Sequence, residues 1–254
     1  MIRSTEPLVK WNADCFLREF LYNVSMENVS VIIPSAGLGL RMGRNVRKPF
    51  LSINGKPILL HTFEKFSCFE CVREIILVVN PDDHMEVLKE WNDRLNEQKE
   101  TKIIPGGKRR QDSVYNGLLQ SDANCNIVLI HDAVRPFVTS EVIEAVIKKV
   151  EECGAAIAAV PMKATVKQVS PDLTISRTVP RADLWMAQTP QGFKRHIIMD
   201  AYKKLLTTDA EVTDDAEVAE RFGYKVAIVP GSDTNIKITT PEDLALAEAI
   251  AGKR

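Results

Sequence analysis

Short, apolar, β-branched runs recur along this chain, and between them lie stretches whose apolar residues are spaced by three and four. IVLI at Ile127–Ile130 has no polar alternation, as expected of a strand covered on both faces at the centre of a parallel sheet. Val29–Pro34, Glu74–Val79 (EIILVV), Thr101–Ile104, Ala155–Val160 and Val226–Val229 read as further strands. Helices are expected over Ile58–Phe69, Asp82–Asn96, Gln111–Leu119 and Glu141–Cys153. In the second of these, Met85, Leu88, Trp91 and Leu95 fall on one face. Ser140 is the expected cap of the fourth, and Gly154 its stop. Asp214-Asp215 can start a helix running toward Phe222, and Thr240-Pro241-Glu242-Asp243 opens the last one with a cap, a proline in the first turn and acids at the positive end. Such alternation predicts an α/β fold with a mostly parallel sheet flanked by helices.

One segment breaks the pattern. Thr165–Val179 (TVKQVSPDLTISRTV) has two polar-alternating arms around the turn cluster Ser170-Pro171-Asp172, so a hairpin arm at about residues 163–181 is expected to project from the domain. Two strands alone are marginal in water, and a partner subunit is one way to cover them. Residues 1–28 form an accessory segment in which Trp11, Cys15, Phe16, Phe20 and Leu21 make an apolar stripe suited to one helix. Glu6, Asp14 and Glu19 argue against a transit peptide, and Met26 stands where a chain could start.

Bulk properties exclude several classes. Lys and Arg number 33 against 34 Asp and Glu, which gives no basic excess for nucleic acid. No apolar run approaches the length of a membrane span, so a cytoplasmic location is expected. Five scattered cysteines do not make a disulfide framework. The Cys68–Cys71 pair lacks further metal ligands and is expected late in an apolar helix, where no thiolate is favoured. The four histidines have no zinc spacing.

Ligands of open α/β sheets gather beyond the C-terminal ends of the strands, and polar residues are concentrated there. After the first strand come Ser35, Ala36, Gly37, Gly39, Arg41 and Lys48. The glycines either make a simple tight turn or let backbone N–H groups meet phosphate oxygens. Met42 occupies the place of the third glycine of a dinucleotide fingerprint, and no Gly-Lys-Ser/Thr follows, so neither the NAD-binding nor the ATPase phosphate loop is present. After Ile104 come Gly106, Gly107, Lys108-Arg109-Arg110 and Ser113; the basic run is either a solvated face or a loop near the ligand. Asp132, directly after the Ile127–Ile130 strand and His131, can orient a hydroxyl, approach a metal, or merely pair with Arg135. Lys237, in NIKIT, reads as a mid-strand lysine.

Taken together, PSAGLGLRM (Pro34–Met42), GGKRRQDSV (Gly106–Val114), HDAVRPFV (His131–Val138), TVPRADLW (Thr178–Trp185), QTPQGF (Gln188–Phe193), VTDDAEV (Val212–Val218) and NIKITTPEDLALAE (Asn235–Glu248) resemble, in order, the motifs of the 2-C-methyl-D-erythritol 4-phosphate cytidylyltransferase family. The resemblance implies a Rossmann-like nucleotidyltransferase domain over residues 29–254, and transfer of a cytidylyl group from CTP to methylerythritol phosphate in non-mevalonate isoprenoid synthesis, with Mg²⁺. It implies that Arg41 and Lys48 grip the triphosphate and stabilise the transition state. Ser35, Ala36, Gly37, Gly39, Gly107, Ser113 and Ala133 would line the nucleotide site, while Asp132, Arg135, Thr213 and Lys237 would hold the acceptor. It further implies a homodimer whose hairpin arms cross, so that Thr165 and Arg181 serve the partner's site, Arg181 and Lys237 both acting on the acceptor phosphate. A protein metal site is not implied beyond a supplementary role for Asp132.

The chain departs from the family twice. Arg47-Lys48-Pro49 stands where the family usually reads Pro-Lys-Gln, and residues 1–28 have no family counterpart. Ribitol-5-phosphate cytidylyltransferases carry very similar motifs, and an inactive scaffold subunit of this fold is the non-enzymatic alternative.

Overall fold

A computed structural model describes residues 28–37 and 48–252. The expected accessory segment therefore lies almost wholly outside the described residues, as do Gly39 and Arg41.

The core is one seven-stranded sheet. In chain order its members are β1 (Val29–Pro34), β4 (Val72–Val79), β5 (Glu100–Pro105), β6 (Ile127–Ile130), β7 (Ala155–Pro161), β10 (Trp185–Lys194) and β11 (Ala227–Pro230). They lie side by side as β11-β7-β10-β6-β1-β4-β5. All adjacent pairs are parallel except those of β10, which runs antiparallel to both β6 and β7. Two small hairpins complete the strands: β2 (Ser52–Ile53) with β3 (Lys56–Pro57), and β8 (Val166–Val169) with β9 (Ile175–Val179).

Helices cover both faces, which is why the central strands carry no polar alternation. Val31, Ile33, Leu77 and Leu129 point to one side, where they meet α1 (Ile58–Ser67), α2 (His84–Asn96) and α4 (Ser140–Cys153). Ile32, Ile76, Val78 and Ile130 point to the other, against α3 (Arg110–Gln120), α5 (Arg195–Leu205) and α6 (Asp215–Arg221). Each such fully buried side chain is worth about 1.5–3 kcal/mol of hydrophobic transfer. A third, smaller cluster joins Ile53, Ile58, Phe137, Ile238 and Ala247, and so docks α7 (Pro241–Ala251) and the β2–β3 hairpin on the main body.

Several expectations are corrected. Trp185–Lys194, with its central Thr-Pro, carries no clean strand pattern, yet it forms the longest strand of the sheet. The helix after it, α5, was equally unmarked. On α2 the expected face holds for Leu88, Trp91 and Leu95, which pack on the core together with Val87, while Met85 in the first turn is 73% exposed. Thr139 rather than Ser140 takes the cap position of α4, and Gly154 closes that helix in the left-handed region (φ 91). Cys68 and Cys71 fall after α1, in the turn before β4, and burial pushes the Cys71 thiol pKa up. Lys237 is in no strand: residues 235–239 carry no regular secondary structure and are tied to the body by the Ile238 N–H donating to the Val134 carbonyl at 3.0 Å.

The β8–β9 hairpin matches the expected arm. It turns at Ser170, and Leu173 and Ile175 are 81% and 63% exposed.

Candidate active site

Going outward from β1, the chain first lays β4 and β5 on one side and then β6 on the other. This reversal makes the β1/β6 edge a topological switch point, the place where open α/β sheets leave a crevice. A cleft of about 610 Å³ opens there, lined by the loops after β1, β5 and β6 and by Lys237, Ile238 and Thr239.

The first wall is built from close backbone approaches. Gly106 follows β5, and its N–H donates to the Val79 carbonyl at 2.7 Å. A Cβ there would lie 2.5 Å from the Ala36 Cβ and 2.8 Å from Ser113 Oγ. At Gly107 a Cβ would lie 2.4 Å from the Asp112 Cβ. Glycine at these two positions lets the β5–α3 loop pack against the β1 loop and the start of α3. Ser113 Oγ accepts from the Gly107 N–H at 3.0 Å, and the Asn80 side chain donates to the Ala36 carbonyl at 3.3 Å. A Cβ on Gly37, by contrast, would meet nothing within 4 Å among the described residues. Ser35, Ala36, Gly37, Gly107, Ser113 and Ala133 thus come together as expected.

The basic run after Gly107 divides three ways, contrary to a uniformly solvated face. Lys108 lines the cleft. Arg109 closes a capping box with Asp112, whose carboxylate accepts from the Arg109 N–H at 3.1 Å and from the guanidinium at 2.8 Å. Arg110 turns inward, its NH2 2.7 Å from Asp215 Oδ2 and its Nε 3.7 Å from Asp132 Oδ1.

Asp132 is the hub of the opposite wall. Lys237 Nζ stands 2.9 Å and Arg135 Nε 3.2 Å from its Oδ2. Burial alone would push this carboxyl pKa up, but Lys237, Arg110 and Arg135 outweigh it and hold the group well below the usual carboxylate range. Asp132 therefore pairs with Arg135, as one expectation had it, and it also lines the cleft. The alternation in Ile236-Lys237-Ile238 explains the lysine, since the isoleucines pack into the small third cluster and leave Lys237 for the cleft side.

Behind Asp132 lies a polar lattice that gives no sequence signal. His131 is fully buried, and its Nε2–H donates to the Arg135 carbonyl at 3.0 Å while Nδ1 accepts from the Thr189 hydroxyl at 3.0 Å. Thr189 Oγ1 in turn accepts from the Asp132 N–H at 3.1 Å. Burial depresses the His131 pKa to about 4, so the imidazole is neutral, as that bonding pattern requires. Arg135 also donates to the Asn235 carbonyl at 2.7 Å, and Asn235 donates to the Thr189 carbonyl at 2.8 Å. Thr189, Asn235 and Asp215 are site-building residues that sequence reasoning missed, and Arg110 was singled out only as one member of the basic run after β5.

Other candidates stand apart within a single chain. Thr213 is exposed and bonded to Glu217, its hydroxyl 2.9 Å from Oε2. Thr165 and Arg181 are exposed at the base of the arm, where Arg181 donates to the Lys163 carbonyl and Lys163 pairs with Asp233. None of the three lines the cleft. Lys48 opens a 3₁₀ turn, Lys48–Phe50. Pro49, the departure from the family, is buried there and lines the cleft. It sits in the first turn, where a missing N–H costs little.

Among the described residues no three His, Cys, Asp or Glu side chains converge on a metal-sized space. Among them, too, Asp132 is the one carboxylate lining the cleft, and three cations already face it. That donor set fits a magnesium ion carried mainly on substrate phosphates, which needs at most one or two protein carboxylates. No described helix is long and apolar enough to cross a membrane.

The chain is similar to known proteins in both sequence and fold. The family model for 2-C-methyl-D-erythritol 4-phosphate cytidylyltransferase matches residues 29–253. The enzyme of that name from Clostridium botulinum (strain 657 / Type Ba4) is 49% identical over 228 residues, spanning 90% of this chain and 99% of the relative. That from Alkaliphilus oremlandii is 44% identical over 232 residues, 90% and 98% of the two chains. The crystal structure of 4-diphosphocytidyl-2C-methyl-D-erythritol synthase from Anaerococcus prevotii superposes with a TM-score of 0.79 at 33% identity, covering 89% of this chain and 97% of that one. The structure of the cytidylyltransferase from Thermus thermophilus gives 0.74 at 31% identity, covering 89% and 99%. A family model matched from residue 29 to residue 253, with a relative 49% identical along 90% of the chain, shows that the chain belongs to the 2-C-methyl-D-erythritol 4-phosphate cytidylyltransferase family.

Proposed function

We propose that this protein transfers the cytidylyl group of CTP to the phosphate of 2-C-methyl-D-erythritol 4-phosphate and releases pyrophosphate. The observation that carries the reading is the cleft itself: glycine-lined backbone on one side and Lys237 and Arg135 around Asp132 on the other, in a chain of this family. A phosphate oxygen of the acceptor attacks the α-phosphorus, and the bond to the bridging oxygen breaks as pyrophosphate departs. The nucleophile is already anionic near neutrality, so the chemistry demands positioning and charge stabilisation rather than a strong base. The neutral, buried His131 is consistent with that: it holds a backbone and takes no proton.

The base and ribose belong to the wall made by Ser35, Ala36, Gly37, Gly107 and Ser113. Arg41 and Lys48 act on the triphosphate, where they stabilise the charge that grows as pyrophosphate leaves. Asp132 accepts from acceptor hydroxyls, and Lys237 and Arg135 hold its phosphate side. When bound, Mg²⁺ would supply further neutralisation of the triphosphate, with Asp132 at most a supplementary ligand. Thr165 and Arg181 complete the site of a second subunit; support comes from the exposed apolar arm, with Leu173 and Ile175 uncovered in the single chain, and from the absence of both residues from their own cleft lining. The enzyme works as a homodimer in the cytoplasm, where CTP is available.

The deciding experiment is pyrophosphate release from each of the four nucleoside triphosphates, with methylerythritol phosphate or ribitol 5-phosphate, with and without EDTA. Turnover with CTP, methylerythritol phosphate and magnesium is expected. Turnover with ribitol 5-phosphate alone would replace the acceptor, and no CTP turnover at all would reduce the protein to a scaffold of this fold.

A further inference from the structure

Resting on the function just proposed, one residue stands outside the assigned machinery yet touches its hub. We infer that Arg110 is a positioning residue, which fixes the Asp132 carboxylate for the acceptor from a rigid anchor at Asp215.

The anchor is rigid for identifiable reasons. Asp215 is fully buried. Its Oδ1 accepts from the Tyr202 hydroxyl at 2.7 Å, and its N–H and that of Ala216 both donate to Gln191 Oε1 at 2.9 Å. Gln191 itself lies in the middle of the sheet, in β10, opposite Ile130 of β6. Asp215 is therefore fixed to the same sheet that ends at Asp132. Arg110 bridges the two carboxylates, 2.7 Å from one and 3.7 Å from the other.

Helix formation gives no reason for an arginine at this position. Arg110 is the first residue of α3, where the helix dipole is unfavourable to a cation. Its guanidinium is worth that cost only if both ends of the bridge matter. A lysine would supply charge at a point, whereas the planar guanidinium reaches two acceptors at once. The division of labour on Asp132 is also uneven. Oδ2 takes Lys237 and Arg135, while Oδ1 faces Arg110 at ion-pair distance, too long for a hydrogen bond. Arg110 thus opposes rotation of the carboxylate toward the other two cations and leaves Oδ1 with bonding capacity for a polyol hydroxyl. The competing account is that the Arg110–Asp215 bridge merely staples α3 to α6.

Three variants, Arg110→Gln, Arg110→Lys and Asp215→Asn, separate the accounts. Positioning predicts that R110Q raises the acceptor KM by about tenfold or more, a loss of about 1.4 kcal/mol, with the CTP KM changed less than about twofold. R110K is expected to restore fold stability more fully than acceptor KM, and D215N to follow R110Q in direction because it loosens the anchor. Thermal unfolding of R110Q, Asp132→Asn and the double variant adds a readout that needs no substrate: the two losses of Tm should fail to add, since the residues share one interaction. Stapling alone predicts additive Tm losses and an unchanged acceptor KM in every folded variant, and that result would overturn the inference. If R110Q does not fold, R110K and D215N carry the same kinetic comparison. Absence of turnover in the unmodified protein would remove the proposed function, while the Tm cycle would still decide whether Arg110 governs Asp132.

Discussion

Lys237 Nζ lies 2.9 Å from Asp132 Oδ2, although one residue follows β6 and the other precedes α7. The contact joins the small cluster that docks α7 to the rim of the main sheet, so it belongs to both folding and binding. Asp132→Asn leaves Lys237, Arg135 and Arg110 facing one another without their shared anion, and we expect a loss of about 3 kcal/mol in unfolding free energy. The carboxyl pKa is depressed in the folded state, so its contribution is complete above the unfolded value, about 3.9, and is lost as pH falls through the lower folded value. The stability gap between wild type and D132N should accordingly hold from about pH 5 to 8 and shrink below about pH 4, as read by urea unfolding. A gap that widened on acidification would contradict this ionisation.

His131 titrates in the opposite sense to a salt-bridged histidine. Unfolded, it takes a proton near its ordinary value of 6.5; folded, burial holds it neutral down to about 4. Its penalty is absent above that ordinary value and grows as pH falls toward the folded one, reaching about 3 kcal/mol. Comparing unfolding free energies of wild type and His131→Asn between pH 7 and pH 4.5 should show a flatter slope in the variant. Equal slopes would mean that His131 is not held neutral.

The glycines of the nucleotide wall should separate into two kinds. Gly106→Ala forces a Cβ against Ala36 and Ser113, with an expected cost of about 1–3 kcal/mol in stability and a weakened affinity for CTP. Gly37→Ala meets no other described residue within 4 Å, so its Tm should be unchanged while its CTP affinity falls. Calorimetric titration with CTP, run beside thermal unfolding, distinguishes them. Unimpaired CTP binding in G37A would remove that glycine from the nucleotide wall.

The cations of the proposed reaction invite a crossed test. Arg41→Ala and Lys48→Ala should each reduce kcat by about 10²–10³ while folding normally, the usual effect of losing a group aimed at developing charge. Mixing Arg181→Ala chains with K48A chains should regenerate one intact site per heterodimer. Failure of activity to recover, once subunit exchange has been demonstrated, would count against sites shared between subunits.

Much of this architecture was legible in the sequence because buried parallel strands leave an unmistakable pattern. Val29–Pro34 and Ile127–Ile130 were bounded to the residue, and the capping box at Thr240 and Asp243 formed as the sequence indicated. Strand β10 escaped because it changes character midway: its first three residues are exposed, and those from Gln188 to Gly192 are buried but polar or small. Polar burial has no periodic signature, and the partners that satisfy Gln188, Thr189 and Gln191 are supplied by Ser232, Asn235 and Asp214, far along the chain. Arg110 was obscured for a related reason. In sequence it is one of three adjacent cations, and only tertiary packing decides that Arg109 caps a helix while Arg110 reaches two acids.

The single reversed strand has a geometric consequence. A parallel strand leaves the sheet at the cleft end and must be carried back by a crossover before the next can begin. After β7 the chain makes no such return, because β10 starts at the very end where β7 stops, Trp185 lying opposite Pro161. Everything between those two residues is an excursion launched and recovered at the mouth of the crevice. Lengthening, shortening or reshaping that excursion leaves the sheet's hydrogen bonding untouched, so the arm can be remodelled without refolding the platform that carries the cleft.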